Sequence, residues 1–324
     1  SLGFNPVVDK EGNLILSLKG KSGKMVIFSA HVDTVFSEDT KLEVKEEEGK
    51  IFCPGICDNS AGVVSLLYLI KYIVASTPEL HNTFLFLFNV GEEELGNLRG
   101  IRYFIDNIDK NNIEAHVVVE GHKIGRITTR VVGSHRRKIT IFAEGGHSWR
   151  DYGRPNAILI ASNIIHEISK LEFPNSPKTT FNVGTILGGN SVNSIPQKAE
   201  FTLEIRSLEQ SLIEKKITEI DNVLLKINNS KISSEILGNR PCGVMRNQKL
   251  IKLIKMLHKE LDINSIEDAG STDSNYPISL GLPSLTIGIT DAENTHSTNE
   301  CLYKEPIKKG IMQVMRIFEE LNLP

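Results

Sequence analysis

Cysteine is scarce: Cys53, Cys57, Cys242 and Cys301 stand scattered along 324 positions. That excludes a disulfide framework and makes a reducing, cytoplasmic setting the expectation. Cys53-Pro54-Gly55-Ile56-Cys57 has the spacing of half a zinc site, but no second Cys or His pair accompanies it. Buried or incidental thiols are the expectation there. An excess of one charge is missing too, since 37 Lys and Arg face 40 Asp and Glu, a formal net charge of −3. Nothing therefore draws the chain to nucleic acid or to an anionic membrane. Long apolar runs are also absent: the longest, 63–70, is stopped by Lys71 and is too short to span a bilayer. The opening Ser1-Leu2-Gly3-Phe4 carries no charged-then-apolar signal pattern and no Met, so a lost start is expected. Internal repeats and low-complexity tracts are lacking.

What is present is a globular pattern. A chain that is 40% hydrophobic and 24% charged over 324 residues fits about two domains of roughly 150 residues each, with enough length to bury a core. Up to about residue 125, apolar runs at 25–30, 83–90 and 115–119 alternate with helical spacing at 61–74 and 98–108. Such alternation predicts an α/β domain, a mixed, mostly parallel sheet with helices on both faces. The segment 126–238 differs. Strands at 138–143, 180–187, 199–207 and 232–237, with helices at 155–171 (Pro155 in the first turn) and 209–227, predict an inserted ferredoxin-like β-α-β-β-α-β unit. Beyond it come an amphipathic stretch at 249–261, a strand at 284–289 and a closing helix at 306–321. The larger domain is thus expected to be discontinuous, 1–125 with 239–324. Glu46-Glu47-Glu48 before Gly49 predicts a solvated hairpin.

Metal-type ligands gather at predicted strand ends. His31 and Asp33 follow the first apolar run, Glu92, Glu93 and Glu94 the second, and Glu120 closes the third. His296 follows the 284–289 strand, and Asp58 opens the helix that begins near Ala61. In open α/β sheets, ligand sites lie outside the carboxyl ends of the strands. Two His, two single carboxylates and one shared Asp suit two divalent ions, each left an open position, and nitrogen–oxygen ligation suits zinc. The Asp33 carboxylate is placed to accept the second N–H of His31 and fix its tautomer. Of the neighbours Glu92 and Glu93, one can bind metal while the other takes a proton from water. Glu94 reads as helix N-terminal and solvent-facing.

Together His31-Val32-Asp33-Thr34-Val35, Cys57-Asp58-Asn59-Ser60-Ala61-Gly62, Gly91-Glu92-Glu93-Glu94-Leu95-Gly96, Val119-Glu120-Gly121 and Thr295-His296-Ser297 resemble the ordered motifs of co-catalytic zinc metallopeptidases. That family includes glutamate carboxypeptidase, tripeptidase T, dipeptidases, acetylornithine deacetylase and succinyl-diaminopimelate desuccinylase. The resemblance runs over nearly the whole chain. It implies two zinc ions per chain, with Co2+ or Mn2+ as substitutes. Asp58 would bridge them, His31 and Glu120 would complete one, and Glu93 and His296 the other. It implies Glu92 as general base to a metal-bridging water and Asp33 as the residue that orients the ligand His31. Gly145-Gly146-His147-Ser148 resembles the lid motif whose His reaches the partner subunit's site, which implies a homodimer through 126–238. Asn193 and Arg206 resemble the family's substrate-binding segments, although a surface ion pair also accounts for Arg206. Gly270 and Ser271 resemble the loop whose N–H groups take the substrate's carboxylate end, although an ordinary turn also accounts for them. The expected activity is cleavage of a peptide or N-acyl amide bond in a small substrate. The alternatives are an N-acyl-amino-acid deacylase and a silent metal- or peptide-binding protein, and the intact Glu92 argues against the last. Two departures stand out: the family's helical segment before the first strand is missing, and Gly91 stands where many members have Asp. Glu at position 120 tends to accompany carboxypeptidases and deacylases rather than aminopeptidases.

Overall fold

Met25–His31 and Thr83–Asn89 are buried along all but their first residue, because alternate side chains serve two different cores. Val26, Phe28, Ala30, Phe84, Phe86 and Phe88 face one side of the sheet, and Ile27, Leu85 and Leu87 face the other. The period-two alternation of a strand thus places apolar residues on both faces. On the first face lie Leu66, Leu69 and Ile73 of the helix Gly62–Ser76 and Val314, Ile317 and Phe318 of Lys304–Leu321. Ile101, Phe104 and Ile105 of Arg99–Asp106 cover the second. The computed structural model describes residues 5–227 and 231–324, so the reading of Ser1-Leu2-Gly3-Phe4 lies outside the described residues.

The chain divides into two compact units, Val132–Gly243 and the remainder. In the larger unit the strands run in the order Leu14–Leu18, Thr83–Asn89, Met25–His31, Ile113–His122, Ser284–Thr290, Arg126–Val131, with Ile266–Gly270 beside the last. The inner strands are parallel, while Leu14–Leu18 and Arg126–Val131 run antiparallel to their inner neighbours. The sheet is mixed. Arg126–Val131 belongs to this unit rather than to the insert, because Ile127 and Thr128 pair with Ile287 and Thr286. The acidic run lies on a hairpin, exposed Lys45–Glu47 against half-buried Lys50–Phe52. Cys53, Cys57 and Cys301 are buried thiols.

Within Val132–Gly243, Gly133–Phe142, Thr179–Gly188, Lys198–Ser207 and Lys231–Arg240 form one antiparallel sheet in the order second, third, first, fourth. Phe201, Leu203 and Ile205 share its core face with Ala161, Ile164 and Ile168 of the helix Ala157–Ser169 and Ile213 and Ile220 of Gln210–Leu225. Pro155 lies outside the first turn of Ala157–Ser169, because Asn156 caps that helix by accepting the N–H groups of Ile158 and Leu159.

By length and composition alone, Ile56–Ser76 is apolar enough to cross a bilayer. Asp58 and Asn59 break its helical φ/ψ, so the continuous helix is the 15 residues Gly62–Ser76. A span needs about 20.

Candidate metal centre

The carboxyl edge of the larger unit's sheet gathers the expected ligands. His31 ends its strand, Glu120 lies two residues from the end of Ile113–His122, and Glu92 and Glu93 follow Thr83–Asn89. Asp58 sits on the kink before Gly62–Ser76, and His296 occupies a loop after Ser284–Thr290 with φ 66°.

Asp58 lies between two imidazoles. Its Oδ1 is 3.1 Å from His31 Nε2 and its Oδ2 is 3.1 Å from His296 Nε2. Each ring meets a second acid: Glu120 Oε2 is 3.6 Å from His31 Nε2, and Glu93 Oε1 is 3.3 Å from His296 Nε2. The arrangement is two half-sites sharing one carboxylate. One atom each from His31, Asp58 and Glu93 also lies within 4.8 Å of the others. The His31 side chain is 1% exposed and that of His296 52%, so the second half-site opens towards solvent.

Burial would lower the His31 pKa, but Glu120, Asp58 and Glu92 outweigh it and hold the ring well above its usual range. His296 is pushed up to about 9, chiefly by its hydrogen bond to Asp58. Against its own burial, Asp58 is held well below the usual carboxylate range by hydrogen bonds from His296 and His31. Burial and the charges of Asp58 and Glu92 push Glu93 up to about 7. Negative charge here exceeds what its protein neighbours neutralise. Among the described residues, Glu120 Oε2 is buried with no hydrogen-bond partner and meets only the His31 ring at 3.6 Å, an expensive arrangement for a carboxylate that a metal ion would relieve. Two imidazoles and three carboxylates therefore fit a pair of divalent ions.

Asp33 corrects the expectation for its carboxylate. His31 Nδ1 lies 3.0 Å from the Asp33 backbone carbonyl, while the nearer carboxylate oxygen is 3.8 Å away. The Nδ1–H bond goes to the carbonyl, leaving Nε2 as the ligand atom. The carboxylate instead accepts the backbone N–H groups of Glu92 at 3.2 Å and Glu93 at 2.8 Å. It therefore fixes the turn that carries both acids. Glu92 is buried, and its charge adds to burial in raising the pKa values of Glu93 and Asp273. Glu94 is exposed.

Gly270 ends Ile266–Gly270 against the Arg126 guanidinium, with Ser271 next in the chain. Beyond them, Thr272 N–H donates to Asn275 within the loop, and buried Asp273 accepts from Asn89 at 2.7 Å. In the smaller unit, His147 pairs with Ser194, and the Asn193 carbonyl accepts the Ser148 N–H at 3.1 Å, so His147 and Asn193 are neighbours. His147 Nδ1 accepts the Trp149 N–H at 3.2 Å, which places the proton of the neutral ring on Nε2. Arg206, 41% exposed, pairs with Glu204 through Nε at 2.7 Å, the ion pair that was the other reading of its strand.

Two residues were missed. Asn59 joins the Asp58 kink to Val119, and Glu300 binds backbone on both sides of the site. Their only sequence signals are adjacency to Asp58 and a position four residues after His296.

Peptidase family M20/M25/M40 matches residues 27–320. Acetylornithine deacetylase of Buchnera aphidicola subsp. Schizaphis graminum is 24% identical over 325 residues, covering 92% of this chain and 81% of that protein. A Staphylococcus aureus tripeptidase superposes with TM-score 0.81 at 19% identity, covering 99% of this chain and 89% of that one. A Bacillus subtilis protein described as a dinuclear metal binding peptidase of family M20 superposes with TM-score 0.70 at 16% identity, covering 99% and 88%.

Proposed function

Because this chain belongs to peptidase family M20/M25/M40, we propose that it is a two-zinc hydrolase that cuts a peptide or N-acyl amide bond beside a free carboxylate in a small substrate. The observation that carries the reading is Asp58, whose two oxygens face two imidazoles that each meet a further acid. His31, Asp58 and Glu120 would hold one ion, and Asp58, Glu93 and His296 the other. Bound there, zinc supplies Lewis-acid polarisation of the carbonyl and hydroxide at neutral pH. Glu92, on the turn that Asp33 fixes, takes the proton of the attacking water and returns it to the leaving amine. His147, its Nε2–H set by the Trp149 amide, donates to the developing oxyanion. In this proposal Val132–Gly243, whose strand order supports a ferredoxin-like lid, pairs two chains so that His147 serves the neighbour's site. Gly270, Ser271, Asn193 and Arg206 would bind the substrate's polar groups. The cysteines are free, which fits a reducing, cytoplasmic setting.

Deacylation of N-acyl amino acids is the second reading, favoured by Glu120 and by the similarity to an acetylornithine deacetylase. The test is turnover of dipeptides and of N-acetyl and N-succinyl amino acids, with added zinc or with chelator. Zinc-dependent cleavage of either class supports the hydrolase, and the class cleaved chooses between the two readings. No turnover by the zinc-loaded chain on any of them opposes both.

A further inference from the structure

Four backbone N–H groups converge on one buried carboxylate. Glu300 is 0% exposed. It accepts from Cys57 at 2.8 Å and Asp58 at 3.0 Å through Oε1, and from Gly55 and His296 at 3.3 Å each through Oε2. The Gly55, Cys57 and Asp58 amides belong to the first turn before Gly62–Ser76, where the capping Gly55 offers no side chain. Such amides otherwise lack partners, and converging N–H groups favour a negative charge. The carboxylate answering them comes from the segment that follows His296. Glu300 is itself pinned: its N–H donates to the Ser297 carbonyl at 3.0 Å, and its own carbonyl accepts from Cys53 at 3.1 Å.

The two ligands flanking it sit where the chain leaves regular structure: Asp58 breaks the helical run at φ −108° and ψ 90°, and His296 lies in the left-handed region at φ 66°. A left-handed histidine persists only where its surroundings hold it. We infer that Glu300 is the positioning residue that ties the Asp58 turn to the His296 loop and so sets the affinity for the cation held between Asp58 and His296. The affinity half of this inference rests on the two-zinc reading, and the tie between the loops stands without it.

The test uses Glu300→Gln, which keeps the shape but removes the charge and turns one acceptor into a donor, with Glu300→Asp as the variant that keeps the charge. Zinc binding to the metal-stripped full chain is measured by chelator competition, and amide hydrogen exchange is followed on the same samples. The second zinc equivalent of Glu300→Gln is expected to weaken about 10–100-fold, the range for groups that orient metal ligands. The first equivalent should change less, exchange should speed up at Cys57, Asp58 and His296, and Glu300→Asp should recover part of the loss. Wild-type affinity for both equivalents overturns the inference. So does equal weakening of both with a lowered melting temperature of the stripped chain, which marks a merely structural role. If the wild-type chain takes up fewer than two equivalents, the two-zinc reading fails, and exchange alone decides the tie. Faster exchange at both Asp58 and His296 then upholds it, and unchanged exchange overturns it.

Discussion

Asn59 donates its side-chain N–H to the carbonyl of Val119 at 2.9 Å. The residue after Asp58 is thereby bound to the residue before Glu120, and two acids of one half-site share a rigid joint. The joint leaves no room for side chains. A Cβ on Gly121 would lie 1.8 Å from the Cys57 carbonyl, and one on Gly62 would lie 2.5 Å from the Val119 carbonyl. Gly121→Ala must push the Asp58 turn off the strand end. Overpacking of this kind costs about 1–3 kcal/mol. Thermal unfolding should show a lowered midpoint, and zinc content should fall with it. An unchanged midpoint would mean that the joint is soft.

Asp58→Ala removes the group common to both half-sites. Elemental analysis should find zinc lost from both positions, and two ions per chain in that variant would show that Asp58 is no bridge.

Glu92→Gln should leave both ions in place while turnover falls on the order of 10²–10⁴-fold, the usual size of general-base catalysis. Near-normal turnover at full metal content would move the base elsewhere.

Stability in acid depends on a residue away from the ligands. His116 is fully buried between the hydroxyls of Ser29 and Ser284, and burial lowers its pKa to about 3. Unfolded, the ring titrates near 6.5. Between those values the unfolded chain binds a proton that the folded chain refuses, so the contribution is intact above about pH 6.5 and is lost as pH falls towards 3. The loss is about 1.4 kcal/mol per pH unit, large against a usual total of about 5–15 kcal/mol. Denaturant unfolding across pH 3–7 should show this limb, and His116→Asn should flatten it. A variant with an equally steep limb would assign the loss to other groups.

If His147 serves the neighbouring chain, mixing inactive His147→Ala with inactive Glu92→Gln should restore activity, because each mixed dimer carries one intact site. Exchange of subunits seen by mass, with no activity regained, would remove His147 from that role.

The strands and the ligand gathering were legible because both follow short-range rules. Alternation in Phe84, Leu85, Phe86, Leu87 and Phe88 marks a strand covered on both faces, and strand ends are where α/β folds place ligands. Sequence alone puts Arg126–Val131 in the smaller unit, because its place is decided by ladder partners far along the chain, Ile266–Gly270 and Thr286 with Ile287. Asp33 departs from its expectation for a related reason. Spacing two residues from His31 suggested a carboxylate contact, but the backbone carbonyl is nearer, and the carboxylate answers amides of another loop. Glu300 stayed hidden because its partners are backbone N–H groups, which no residue type announces.

If a pair of cations shares Asp58, anomalous X-ray diffraction at the zinc edge from crystals of the zinc-loaded chain should show two peaks flanking the Asp58 carboxylate, one bounded by His31 and Glu120 and the other by Glu93 and His296. A single peak, or peaks away from Asp58, would show that no such pair forms.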